Sequence, residues 1–133
     1  MYLKRGEKIY DKRMSRRIGN NGEEIACIFL KKKGFRIIDR NVYKRTGELD
    51  IVARNIQSNK VHVIEVKTVR GDYESVRISP IENMTRTKII KLQKTALLYM
   101  QHKHISNWQI DAIFIWIDSY KQRTQIQHME NFS

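Results

Sequence analysis

Apolar positions along the 133-residue chain change period several times, and each change predicts an element. Ile25, Ala26, Phe29 and Leu30 recur at helical spacing, which predicts a helix from about Gly22 to Lys33. Asn20 or Asn21 can cap it, Glu23 and Glu24 suit its positive end, and Gly34 ends it. FRIIDRNVY, residues 35–43, reads as a strand. GELDIVAR (47–54) and KVHVIEVKT (60–68) read as two more, joined by the turn NIQSN into an antiparallel hairpin. Residues 70–83 form a long polar loop holding Pro80, the only proline; such lengths are uncommon without a function. From about Met84 to Lys103, Ile89, Leu92, Ala96, Tyr99 and Met100 mark the inner face of a second helix. WQIDAIFIWI, residues 108–117, is apolar on both faces and so predicts a central strand, with a short edge strand over 122–128. The order α-β-β-β-α-β predicts an α/β fold with a mixed central sheet flanked by helices. One domain over 19–128 is expected, between a basic N-terminal arm (1–18) and a C-terminal tail (129–133).

The hairpin is odd in its polar positions. Alternation puts Leu49, Ile51 and Ala53 on one side of the strand and Glu48, Asp50 and Val52 on the other. Neighbouring acids repel and lose hydration unless something compensates them. A four-residue turn, 56–59, pairs Asn55 with Lys60, which sets Asp50 opposite Glu65 and Glu48 opposite Lys67. Three carboxylates and one ammonium then converge on one face. A wet strand face has no need of that arrangement, whereas a divalent metal site does. Asp50 and Glu65 can hold Mg²⁺, a hard cation that prefers oxygen, and the Val66 backbone carbonyl can add a ligand. Metal-bound water becomes a stronger nucleophile, and Lys67 beside it can orient that water or stabilise charge on phosphorus.

Composition points to the substrate. Twenty-six Lys and Arg against fourteen Asp and Glu give a net charge of +12, which favours a polyanionic partner, with nucleic acid foremost. The first 17 residues hold seven of these cations, Arg16 and Arg17 among them. An anionic membrane is a weaker candidate, because no basic amphipathic helix with aromatic anchors is evident. No apolar run approaches the roughly 18 residues needed to span a bilayer, and the basic N-terminus lacks the apolar stretch of a secretory signal. One cysteine, Cys27, excludes an internal disulfide and reads as a core residue, and no Cys/His spacing suggests zinc. A cytoplasmic protein is the expectation. His102 and His104 read as surface residues, and Asp111 within its apolar strand as a structural hydrogen-bond or ion-pair partner. Trp108 and Trp116 read as packing residues.

Asp50, followed after fourteen residues by Glu65-Val66-Lys67, resembles the PD-(D/E)xK signature of restriction-endonuclease-like nucleases. The wider set is Gly19-x-x-Gly22-Glu23-x-x-Ala26, Gly34-Phe35, Arg40-Asn41, Gly47-Glu48-Leu49-Asp50-Ile51-Val52, Glu65-Val66-Lys67-Thr68, Lys88, Ala96 and Asp111. With these the chain looks like the small bacterial YraN family, itself similar to archaeal Holliday-junction resolvases. The resemblance covers residues 19–117 and implies a restriction-endonuclease-like fold. It assigns Asp50, Glu65 and Lys67 as the catalytic trio and Glu23 as an additional acid near the metal, with Glu48 as a further participant. It implies a Mg²⁺- or Mn²⁺-dependent endonuclease acting on DNA, branched or structured DNA included, that leaves a 5′-phosphate and a 3′-hydroxyl. RNA is a substrate the sequence does not exclude. A homodimer is expected of a symmetric junction cutter. Arg16, Arg17 and Lys88 are the candidate nucleic-acid contacts. Two departures stand out: Leu49 replaces the signature's proline, and Val69 replaces a basic residue after Glu65-Val66-Lys67-Thr68. The other class of function is a binding adaptor that keeps the nuclease fold without cutting.

Overall fold

The computed structural model describes residues 8–9, 22–71 and 84–133. In chain order the elements are β1 (Lys8–Ile9), α1 (Gly22–Lys32), β2 (Phe35–Lys44), β3 (Gly47–Asn55), β4 (Val61–Arg70), α2 (Arg86–Lys103), β5 (Trp108–Asp118) and β6 (Arg123–Met129). The strands form one mixed sheet in the order β1-β6-β5-β4-β3-β2, in which β4 and β5 are parallel and every other adjacent pair is antiparallel. This is the α/β, restriction-endonuclease-like architecture expected, with the α-β-β-β-α-β order intact and strands added at one edge. The strand over 122–128 is not an edge, because β1 pairs outside it. That pairing also puts Lys8 and Ile9 of the basic arm in the sheet. The rest of the arm, with Arg16 and Arg17, lies outside the described residues, as do Asn20, Asn21 and loop residues 72–83.

Helices cover the two faces of the sheet. Ile25, Ala26, Phe29 and Leu30 of α1 pack on Ile51, Ala53, Ile64, Ile113 and Ile115. Leu92, Ala96, Tyr99 and Met100 of α2 pack on Leu49, Val52, Val61, Val63 and Ile110. Cys27 and Trp116 are buried in the core, while His102 and His104 are exposed. Local chemistry sets the ends of these elements. Gly34, at φ 96°, ends α1, and Thr85 caps α2 by accepting the Lys88 N–H at 3.2 Å. His104, at φ 57°, closes α2 in a left-handed turn.

The hairpin register is the one the turn predicts. The Asn55 N–H donates to the Lys60 carbonyl at 2.9 Å, and Arg54↔Val61 through Ile51↔Ile64 pair in step. One expected face is corrected. Leu49 packs in the α2 cluster, not with Ile51 and Ala53 beneath α1. The cause lies on β2, where the register shifts between Ile37 and Asp39 and Asn41 takes a left-handed φ of 50°. Beyond that kink, the paired Val42 and Leu49 both turn to the α2 side, whereas Arg40, opposite Ile51, reaches Glu24 on α1.

The start of β4 is locked by a buried carboxylate. Asp111 of β5 accepts from His62 Nδ1 at 2.6 Å and His128 Nε2 at 2.8 Å on one oxygen. Its other oxygen accepts from Gln109 Nε2 at 2.7 Å and the Asn131 N–H at 3.0 Å. Lys33 Nζ lies 2.6 Å from His128 Nδ1; an ammonium can only donate, so His128 carries its proton on Nε2 and points it at Asp111. Burial alone would push Asp111 up, but the His128 and His62 bonds hold its carboxyl well below the usual carboxylate range. The structural role expected of Asp111 is thus observed, with donors from β4, β5, β6 and the segment beyond. Asp111→Asn is expected to cost about 3–5 kcal/mol, because it strands buried donors on a side chain of unchanged size. Urea unfolding at neutral pH checks this.

Candidate metal and nucleic-acid site

Midway along β4 the chain gathers its acids. Val66 donates its N–H to Asp50 Oδ2 at 2.9 Å, so a side chain takes up a backbone donor just beyond the last paired step, Ile51↔Ile64. Glu65 and Asp50 share a side-chain hydrogen bond. Burial, and then the Asp50 charge, push Glu65 up to about 8, so near neutrality the pair holds one proton between its two carboxyls. Burial also raises Asp50, against the opposing pull of the Val66 N–H and the Glu65 bond.

These acids line an open cleft of about 370 Å³. Glu48, Asp50 and Glu65 meet Met84 and the N-terminal half of α2, which presents Lys88, Lys91, Leu92 and Thr95. The first turn of α2 carries no acid, so the positive end of its dipole and its lysines face the same space. The Lys88 charge pulls against the upward shift of Glu65. Thr95 ties the wall to the floor: its hydroxyl donates to the Lys91 carbonyl at 2.9 Å and accepts from Thr46 at 2.8 Å. Gly47, at φ 151°, allows that approach, since a Cβ there would stand 3.1 Å from Thr95 Oγ1.

Glu23 reaches the same region from α1. Burial and then the Asp50 charge raise it, while Arg40 and a hydrogen bond from Asn41 lower it. The glycine before it sets its position, because a Cβ on Gly22 would stand 1.8 Å from Thr68 Oγ1 and 3.1 Å from Thr68 Cβ. Only a bare α-carbon lets α1 begin against β4 at this depth.

Of the predicted residues, Asp50 and Glu65 are in hydrogen-bond contact, and Glu48 and Lys88 line their cleft. Glu23 lies within their field. Lys67 is exposed, two residues past Glu65 on the same face of β4. Val66 is placed by its N–H. Lys91 and Thr95 were missed; their signal was the helical spacing from Lys88, which puts them on its face. A different group among the described residues brings three ligand atoms within 4.8 Å of one another: His62, Asp111 and Glu130. Its Asp111 is already saturated by four donors, and Lys33 adds positive charge beside it, so it reads as a structural lock. No described helix is long and apolar enough to cross a membrane.

A family model described as an uncharacterised protein family, UPF0102, matches residues 22–115. A UPF0102 protein of Campylobacter lari is 36% identical over 110 residues, covering 83% of this chain and 93% of that one. One from Campylobacter jejuni is 42% identical over 113 residues, covering 84% and 89%. One from Sulfurimonas denitrificans is 35% identical over 121 residues, covering 90% and 99%.

Two outcomes follow for stability. Unfolded, Glu65 ionises near its ordinary 4.5, and folded near 8, so between these values the folded chain holds the extra proton. Stability therefore falls as pH rises through that window, by about 1–4 kcal/mol, and Glu65→Gln should remove most of the fall. Urea unfolding in EDTA at about pH 5 and about pH 8 reads it out. Gly22→Ala should destabilise by about 1–3 kcal/mol despite alanine's better helix propensity, and Thr68→Ala should recover part of the loss in a double-mutant cycle.

Proposed function

The chain belongs to the uncharacterised protein family UPF0102, and from its site we propose that it is a metal-dependent endonuclease hydrolysing phosphodiester bonds in DNA, branched or structured DNA above all. One observation carries the reading. Asp50 and Glu65 are held in contact through a shared proton, on the floor of a cleft whose other wall carries Lys88 and Lys91. A pure binder of polyanions gains nothing from acids aimed at phosphate.

A divalent cation fits this donor set. Mg²⁺ or Mn²⁺ takes carboxylate oxygens and keeps several waters, so two adjacent carboxylates suffice, and the cation would replace the proton they share. Asp50 and Glu65 would hold it with the Val66 carbonyl, and Glu23 and Glu48 supply further negative field. When bound, the cation lowers the pKa of a water and offsets charge on a phosphoryl oxygen. Lys67, on the face of β4 that carries Glu65, orients the attacking water and balances charge developing on phosphorus. Lys88 and Lys91 hold the flanking phosphate across the cleft. The basic arm, with Arg16 and Arg17, adds sequence-independent attraction to the backbone.

Labelled four-way junction, flap, single-stranded and linear duplex DNA, each with Mg²⁺, Mn²⁺ or EDTA, test the reading. Metal-dependent cutting is expected, lowered about a hundredfold or more by Asp50→Asn and by Lys67→Ala. Lys88→Ala and Lys91→Ala should each weaken DNA binding and reduce its salt slope by about 1. Tight binding without cutting in any metal would favour an adaptor instead.

A further inference from the structure

Tyr43 and Lys44 end β2, and Arg45 and Thr46 form the turn that leads into β3. Tyr43 is 69% exposed, although it is a large, mostly apolar side chain. Its partner across the hairpin is Glu48, and that of Lys44 is Gly47; both partners line the acid cleft. Directly opposed residues on antiparallel strands share a face, with Cβ atoms about 5 Å apart. Leu49 points to α2, as a Cβ on Gly47 would, so Tyr43 and Glu48 stand on the other face of the hairpin, at the tip where Glu48 borders the cleft. Of the exposed aromatic residues among those described, Tyr43 and Tyr120, only Tyr43 has a cross-strand partner in the cleft lining. Lys44 and Arg45 are exposed next to it.

The tip is also held in place. The Thr46 hydroxyl donates to Thr95 on α2, and the close approach at Gly47 seats the turn against the same helix. With the backbone beneath it held in this way, only the side chain of Tyr43 has to be ordered when something stacks on it. Two cations beside an exposed aromatic ring match one chemistry well: a base stacked on the ring, with its phosphates on the lysine and arginine.

We infer that Tyr43 is a base-stacking contact and that Lys44 and Arg45 hold the adjoining phosphates, which makes DNA with an unpaired base beside the cleaved bond the preferred substrate. The inference rests on the endonuclease reading for the position of that bond. In a continuous duplex both faces of each base are covered by neighbours, so the ring has nothing to stack on. At a flap, a bulge, a branch point or in a single strand, a face is free.

Binding in EDTA separates this contact from catalysis. The probes are a fully paired duplex and the same duplex with a 2-aminopurine flap, followed by anisotropy and by quenching of the 2-aminopurine. Tyr43→Ala is expected to weaken flap binding about tenfold and to relieve the quenching, leaving the paired duplex unchanged. Tyr43→Phe should behave as the parent. Lys44→Ala and Arg45→Ala should weaken both probes and lower the salt slope. Tyr43 is exposed, so its variants should keep the parental circular dichroism and unfolding midpoint. If Tyr43→Ala binds both probes as the parent does, the stacking contact is overturned; cutting by the parent in metal would leave the endonuclease reading standing. A parent that neither binds nor cuts overturns both.

Discussion

The buried Asp111 carboxylate is the constraint on which the rest of the sheet depends. Its four donors come from β4, β5, β6 and the segment beyond β6, and a fifth group, Lys33 at the end of α1, closes the network through His128. A buried ion of this kind stabilises weakly in net terms but penalises any arrangement that separates its partners. It therefore defines how β4 enters the sheet. The parallel pairing of β4 and β5 then continues from Val61↔Trp108 to Arg70↔Ile117 and carries that alignment along the strand. Midway along it Glu65 and Lys67 emerge, and Asp50 takes the Val66 N–H.

The start and the middle of β4 handle acidic groups in opposite ways. Asp111 is surrounded by donors and stays ionised. Asp50 and Glu65 face each other in a partly buried place and share a proton instead. A fully satisfied carboxylate holds structure; a pair that is short of positive charge is reactive toward cations. Lys88 of α2 eases this shortage from across the cleft without filling it, since Glu65 still stands near 8. Near neutrality the two acids thus lower the stability of the fold.

Much of this was legible in the sequence because it is local. The register of the hairpin follows from Asn55 and its four-residue turn, where Asn55 Oδ1 accepts the N–H groups of Gln57 and Ser58. Once that turn is set, the meeting of Asp50 and Glu65 is a matter of counting along two strands. The turn of Leu49 away from Ile51 could not be counted in that way, because it originates on β2, in an asparagine whose left-handed backbone leaves no mark in the hydrophobic pattern. The Asp111 network was legible only as a polar residue in an apolar strand. Its histidine partners lie 49 and 17 positions away, and only the sheet order brings them together. Gly22 stood in a recognisable motif, but its reason, the nearness of Thr68, is tertiary.

The edges of the sheet have a consequence for the protein in a crowded solution. One edge is β1, two residues long, and the other is β2, which is long but irregular. The shifted register near Ile38, the left-handed Asn41 and the charges of Arg36, Asp39, Arg40 and Lys44 interrupt the row of backbone groups that another strand would need as a template. Among the described residues there is therefore no long, flat edge along which two copies could zip. The chain can keep a strongly apolar strand such as β5 at the centre of its sheet without offering newly made neighbours a place to start an aggregate.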